Sequence, residues 1–297
     1  MFKTRLAPTP SGYLHLGNAC NFVLSWLWTR SENGSLMLRI DDLDRSRKRA
    51  EYVEDIFHTL DWLGLEYDEG PEGPTDFEEN WSQYTRLDAY NAALESLKEQ
   101  KLLFACDCSR SQIQRFSYNG LYSGRCRERM LAYDRAKVAW RIRTPEKYSV
   151  QWEDRLRGTQ NLRLAELMPD FVVRRKDQIP AYQIASVVDD VLFQTTAILR
   201  GKDLIGSTAA QIWLSQHLSV DFGQIAWAHH SLIRNNDGSK LSKSRGSLSI
   251  QAIRQNAGKP QLVYDRCAKI LGLKGKNWDM PSLLEAHLQT PKLTSEP

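Results

Sequence analysis

The stretch Pro8-Thr9-Pro10-Ser11-Gly12-Tyr13-Leu14-His15-Leu16-Gly17-Asn18 lies between a short apolar run, residues 2–6, and a longer segment from Gly17 to about Arg30. That longer segment is apolar nearly all round (Phe22, Val23, Leu24, Trp26, Leu27), as a centrally packed helix should be. The short run before it has the length of a buried strand. A strand feeding a helix through Pro-Ser-Gly gathers backbone N–H groups and a positive helix end at one place, which makes a generic anion site. Gly12 and Gly17 let a nucleotide approach the backbone, and His15 can donate to a phosphate whose charge grows in a transition state. An ordinary βα turn with a capping histidine would look the same.

A second stretch, Lys240-Leu241-Ser242-Lys243-Ser244, follows the turn-forming Asn235-Asn236-Asp237-Gly238, so a hinged loop with two lysines is expected. Alone it would pass for solvated surface. In this order the two stretches describe one ATP site, a Gly-rich turn with a basic loop that closes over the triphosphate. In-line displacement at an α-phosphate relies chiefly on such positioning and charge stabilisation. The chemistry they suggest is activation of a carboxylate as an adenylate.

Working outward, Leu36-Met37-Leu38-Arg39-Ile40 reads as a second strand running into Asp41-Asp42-Leu43-Asp44. Val53, Ile56, Phe57, Leu60 and Leu63 recur at helical spacing, as do Leu87, Tyr90, Leu94 and Leu97. Strand, loop, helix, strand, helix is the opening of a parallel α/β sheet. The pattern changes near residue 101: residues 104–126 are turn-rich, and 137–178 suggest short strands, among them Val138–Arg143 and Phe171–Arg175. The α/β pattern resumes at Ala181, with a helix expected around 207–218, a strand near Ile225–Ile233 and two short helices after 247. The expected division is 1–100 and 179–238 as two halves of a catalytic domain, 101–178 as an insertion, and 239–297 as the basic loop with a helical end.

At 297 residues the chain can bury a real core, and 40 Lys+Arg against 36 Asp+Glu make it only mildly basic. No apolar run approaches the ~20 residues of a membrane span, and the N-terminus lacks the apolar segment of a signal peptide. Of five cysteines, Cys106, Cys108 and Cys126 cluster while Cys20 and Cys267 stand alone, which fits a reducing cytoplasm better than disulfides. Three soft ligands in one turn-rich segment point to zinc, which wants four. No histidine is near, which leaves Tyr118, Tyr122, Asp107 or a water for the fourth position. Three incidental thiols are the plain alternative.

The two motifs resemble the HIGH and KMSKS signatures of class I aminoacyl-tRNA synthetases. The wording around them, Arg5–Gly12 and Leu38-Arg39-Ile40-Asp41-Asp42-Leu43-Asp44, is similar to the glutamyl branch. The resemblance implies an α/β fold: a Rossmann-type parallel sheet, an inserted zinc-containing α+β subdomain and a short helical C-terminal part. It implies catalytic roles for His15, Asn18, Lys240 and Lys243, and ATP binding by Gly12, His15, Gly17, Asn18 and Lys243. Glutamate would be held by Arg5, Leu6, Ala7, Pro8, Thr9, Asp41, Tyr182 and Arg200. Arg5 and Arg200 would read the side-chain carboxylate, since guanidinium forks match carboxylates bidentately. Structural zinc would sit on Cys106, Cys108, Tyr122 and Cys126, with ATP as a substrate accompanied by Mg²⁺.

Two positions depart from the family pattern. Asn18 stands where HIGH has its second histidine, and Asp41 is one methylene shorter than the usual glutamate. Without the resemblance, a strand-end arginine such as Arg5 would be expected to pair with an acidic loop, and Asp41 to cap a helix.

About 50 residues follow Ser244, so the anticodon-binding domain of the longer members is not expected. In this the chain resembles the truncated paralogues, the glutamyl-queuosine tRNA(Asp) synthetases, which attach glutamate to queuosine in the anticodon. The implied partners are tRNA(Asp) bearing queuosine, L-glutamate and ATP, for a cytoplasmic monomer. Arg110, Arg115, Arg125, Arg127 and Arg129 could contact phosphates. Three rivals stand beside this: a minimal glutamyl-tRNA synthetase charging a 3′ end, a small-molecule nucleotidyltransferase, and a non-catalytic glutamate- or tRNA-binding regulator.

Overall fold

The computed structural model describes residues 1–117, 120–218, 220, 222, 224–232 and 249–289. Tyr118, Lys240 and Lys243 lie outside the described residues. Lys3–Leu6 (β1) and Ser35–Leu38 (β2) pair in parallel, with Arg5 opposite Met37. Between them runs α1, Leu16–Ser31. His15 starts α1 from an extended conformation: its Nδ1 accepts the N–H of Asn18 at 3.2 Å, and Asn18 Oδ1 accepts the N–H of His15 at 3.1 Å. That reciprocal pair satisfies two otherwise orphaned donors, in the manner of a capping box. Asn33, at φ 49°, ends the helix, and the Gly34 N–H closes on the Thr29 carbonyl at 2.9 Å.

Helix α1 has no polar stripe because it is covered on both sides. Cys20, Phe22, Val23, Leu24, Leu27 and Trp28 are buried, each large apolar side chain contributing about 1.5–3 kcal/mol. Ala50–Trp62 (α2) and Leu87–Glu99 (α3) bury Val53, Ile56 and Leu60, and Tyr90, Leu94 and Leu97, at the spacing expected.

The second α/β part is Tyr182–Leu192 (α5), Ala197–Gly201 (β8), Ile205–His217 (α6) and Ala226–His230 (β9). Strands β8 and β9 are parallel, with Arg200 opposite His229. The Thr196 N–H donates to the Lys3 carbonyl at 2.8 Å, which sets the start of β8 beside β1. Arg5 and Arg200 thus lie near the C-terminal ends of their strands, where open α/β sheets bind ligands.

In between, Leu103–Cys106 (β3), Ala139–Ile142 (β4) and Val172–Arg174 (β7) form an antiparallel sheet, with Arg110–Phe116 (α4) on its connection. Ser149–Asp154 (β5) and Gly158–Arg163 (β6) form a hairpin whose first strand joins β9 through Asp154 opposite Trp227. The sheets are therefore mixed, and the hairpin hydrogen-bonds to the second α/β part.

Beyond residue 248 there are three described helices where two were expected: Ile250–Ala257 (α7), Gln261–Ile270 (α8) and Met280–Gln289 (α9). Gly258 at φ +66° stops the first, and Pro260 starts the second. Helices α8 and α9 pack on α1. Cys20 and Cys267, far apart in sequence, meet there: Cys267 Sγ lies 3.7 Å from the Cys20 carbonyl. Among the described residues no helix is long and apolar enough to cross a membrane.

Candidate active site

One cavity of about 390 Å³ gathers Arg5, Ala7, Thr9, His15, Gly17, Asn18, Asp41, Tyr182 and Arg200 among its lining. Leu6, Pro8 and Gly12 are not in that lining. Leu6 is wholly buried in the core because side chains alternate along β1, and the Pro8 carbonyl accepts the Asp41 N–H at 2.8 Å. These two serve the fold beneath the cavity.

His15 is both the capping histidine and a cavity residue. Since its Nδ1 accepts a backbone N–H, the proton of the neutral ring resides on Nε2, which makes that nitrogen a donor by type. A Cβ on Gly17 would stand 2.9 Å from the imidazole Cε1, so glycine is what lets the ring lie over the first turn. Asn18 uses its oxygen for the cap.

The end of the cavity at Arg5 and Asp41 rests on a buried ionic lattice. Arg5 Nε donates to Asp190 Oδ1 at 2.8 Å, and Arg39 Nη1 donates to the same oxygen at 2.8 Å. Arg39 also grips Asp41 bidentately, at 2.8 and 3.2 Å. Asp189 accepts from Arg86 at 2.8 Å, Tyr90 at 2.6 Å and Gln83 at 2.9 Å. Burial opposes every charge here, and the outcomes differ. Burial wins at Asp41 over the pairing with Arg39 and lifts its carboxyl above the usual range. At Asp190, Arg5 and Arg39 together overcome burial and hold the carboxyl below it. Arg39, against burial, is held well above its ordinary value by Asp41, Asp190 and Asp189.

Arg200 is different. Its guanidinium donates to Thr208 Oγ1 at 2.6 Å, Gln211 Oε1 at 2.9 Å and Tyr182 Oη at 3.4 Å, and its Nε is buried with no partner. Among the described residues none of its hydrogen-bond partners is a carboxylate. Burial, reinforced by Arg5, depresses its pKa against the raising effects of Tyr182 and Asp190.

Sequence reasoning missed Arg39 and Asp190, which act on the cavity through long-range pairing. It also missed Asn21, whose buried Oδ1 has no partner and which lines the cavity one helical turn beyond Asn18. That i, i+3 spacing was the available signal.

The three clustered cysteines converge. The thiol sulfurs of Cys106, Cys108 and Cys126 lie within 4.8 Å of one another, all three residues buried. Tyr122 Oη is 3.6 Å from Cys106 Sγ and accepts the Cys126 N–H at 2.7 Å. Burial pushes the Cys108 thiol up to about 12 and raises the Tyr122 phenol as well. Three soft donors this close together, with a phenol oxygen beside Cys106, are of the type that suits a tetrahedral cation, which would reverse those shifts. None of the four lines the cavity.

The solved glutamate tRNA ligase of Elizabethkingia meningosepticum, in complex with its amino acid, matches with a TM-score of 0.71 at 20% identity, over 96% of this chain and 64% of that one. The glutamate-tRNA synthetase of Elizabethkingia anophelis matches at 0.74 and 22% identity, over 96% of this chain and 65% of that one. Methionyl-tRNA synthetase of Mycobacterium tuberculosis, in complex with methionyl-adenylate, matches at 0.56 and 12% identity, over 97% and 68%. At such identities the likeness is one of fold, and the chain spans just under two thirds of the two glutamate enzymes. Residues 1–277 match the family model of the class I tRNA synthetases (E and Q), catalytic domain, and the chain belongs to that family.

Proposed function

We propose that this chain activates L-glutamate with ATP and transfers it to queuosine in the anticodon of tRNA(Asp). The observation that carries the first half is Arg200, a buried cation facing the cavity with no carboxylate among its hydrogen-bond partners in the described residues, next to Arg5, which is already paired with Asp190. A buried unpaired charge costs several kcal/mol, which an arriving carboxylate would offset. Arg200 therefore takes the side-chain carboxylate of glutamate, Tyr182 flanks it, and Asp41 faces the ammonium. ATP lies over the start of α1, where His15 meets its phosphates. A carboxylate oxygen of the substrate α-carboxyl attacks the α-phosphorus, the bond to the bridging oxygen breaks, and pyrophosphate leaves with its Mg²⁺. Lys240 and Lys243 are assigned to the charge that builds there.

In the second step a cyclopentene hydroxyl of queuosine attacks the activated carbonyl, gives up its proton, and AMP departs. The sequence resemblance supports this acceptor. The chain is taken to act as a monomer. Zinc on Cys106, Cys108, Cys126 and Tyr122 would pin the turn-rich segment, outside the reaction itself. The exposed Arg110, Arg115 and Arg125 are available to RNA phosphates.

The test is transfer of labelled glutamate, with ATP and Mg²⁺, to two purified tRNA pools: one containing queuosine-modified tRNA(Asp), one from cells unable to make queuosine. Label entering only the modified pool supports the anticodon acceptor. Equal label in both, on tRNA(Glu), makes the chain a charging enzyme acting on a 3′ end. No label and no glutamate-dependent ATP–pyrophosphate exchange leaves a binding protein.

A further inference from the structure

Behind Arg200 a chain of buried polar groups leads away from the cavity to the β5–β6 hairpin. Thr208, 2.6 Å from Arg200 Nη2, has its Oγ1 2.7 Å from His229 Nε2. His229 Nδ1 is hydrogen-bonded to Asp154 Oδ2, and Asp154 Oδ1 accepts the His229 N–H at 3.2 Å. Asp154, His229 and Thr208 are at most 3% exposed. An ionised carboxylate only accepts, so the ring proton sits on Nδ1 and the neutral ring offers a lone pair at Nε2. Burial holds His229 below its ordinary pKa against the raising effect of Asp154, in keeping with a neutral ring.

The Thr208 hydroxyl has two places to send its proton: the Leu204 carbonyl at 3.2 Å, the usual back-bond within a helix, or His229 Nε2 at 2.7 Å. The shorter contact commits the proton to Nε2 and turns the oxygen lone pairs towards Arg200. Trp227 completes the seat. Its ring lies 4.9 Å from the guanidinium carbon of Arg200 and within 14° of parallel to the His229 ring.

We propose that Asp154 and His229 are positioning residues for Arg200, fixing the Thr208 hydroxyl and thereby the angle at which the guanidinium meets a substrate carboxylate. This rests on Arg200 holding that carboxylate, as proposed above. Arg5 and Arg39 are oriented by direct ion pairs, which also neutralise them. Arg200 needs its charge for the ligand, so neutral groups must aim it. Asp154, set two groups away, supplies direction without cancelling the cation. The amino-acid pocket is thus tied to the hairpin that lies within the expected insertion.

Two measurements test it. In ¹⁵N NMR of the labelled full chain at neutral pH, His229 is expected to carry its proton on Nδ1 with Nε2 unprotonated. A proton on Nε2 alone overturns the proposal. In ATP–pyrophosphate exchange, His229→Asn keeps a partner for Asp154 but cannot reach Thr208, and is expected to raise KM for glutamate about tenfold, with KM for ATP within about twofold. His229→Gln, whose amide falls near the position of Nε2, is expected to recover most of that loss. An unchanged glutamate KM in His229→Asn overturns the proposal. So do equal rises in both KM values together with a lowered Tm, which would mark general loosening. Absence of glutamate-dependent exchange in the wild type would remove the proposed function, and the His229 tautomer then decides this inference by itself.

Discussion

Arg5 Nε donates to Asp190 Oδ1 at 2.8 Å, and this one contact separates the two arginines of the cavity into a neutralised member and a charged one. Opposite consequences for stability and binding follow. Arg200→Met removes a buried cation that hydrogen-bonds to no carboxylate among the described residues, so Tm should hold or rise, while glutamate affinity falls by about 2–5 kcal/mol. Asp190→Asn leaves Arg5 without its ion-pair partner and Arg39 with Asp41 and the more distant Asp189, and should cost about 3–5 kcal/mol of stability. Urea unfolding with isothermal calorimetry on both variants reads the two effects independently.

The same pair sets an acid limb. The folded-state pKa of Asp190 is depressed below its unfolded value of about 3.9, so its contribution is fully present above that pH. It is lost as pH falls through the lower folded value. Melting curves of the wild type should therefore steepen in their decline below about pH 4, and Asp190→Asn should show a shallower decline there. Parallel curves would mean that other carboxylates dominate acid unfolding.

Asp41 shifts the other way, lifted by burial over the opposing Arg39. If it must be ionised to hold the substrate ammonium, glutamate KM should rise as pH falls through a value above the ordinary carboxylate range. Asp41→Asn should have a high KM that is flat across the same window. A wild-type KM that stays constant from pH 7 to the ordinary carboxylate range contradicts this.

Lys243→Ala should lower the rate of glutamate-dependent exchange by about 10²–10³, the effect of removing one transition-state donor. Glutamate binding by calorimetry should change by less than about twofold. Equal losses in rate and binding would show that the lysine holds the ground state instead.

Metal analysis of the purified chain should find one zinc per chain. Cys126→Ser should lose the metal and lower Tm, whereas exchange should persist because the cluster lies outside the cavity lining. Loss of exchange with an unchanged Tm would place the metal in the reaction.

The β1–α1 frame and much of the cavity were legible in the sequence because they depend on local order. The Gly-rich turn and the all-apolar α1 follow from spacing and residue type, whereas Arg5 and Arg200 were reached only through the family resemblance. The partners of these residues were not legible. Arg5 and Asp190 are far apart in sequence, and nothing local marks which aspartate an arginine will meet. A strand-end arginine was expected to pair with an acidic loop, whereas Arg5 meets Asp190 on helix α5. The β5–β6 hairpin was obscured because Val150, Trp152 and Asp154 form its buried face, and a buried aspartate breaks the apolar alternation. Leu6 and Pro8 sit within the first motif region yet serve the core, since a strand can turn only alternate residues to one side.

The isolated bridge between His15 and Ser249 has a kinetic meaning. The Ile250 N–H donates to the Leu14 carbonyl at 2.7 Å, and Leu232 lines the cavity from the other end of the intervening segment. One anchor of residues 233–248 is thus fastened at the first motif itself, and the other stands at the cavity. Under the proposed function, the second motif would meet ATP at an effective concentration set by a tether, not by diffusion. The entropy of closing that ring is settled when the domain folds, once, and is not drawn again from the binding of each nucleotide.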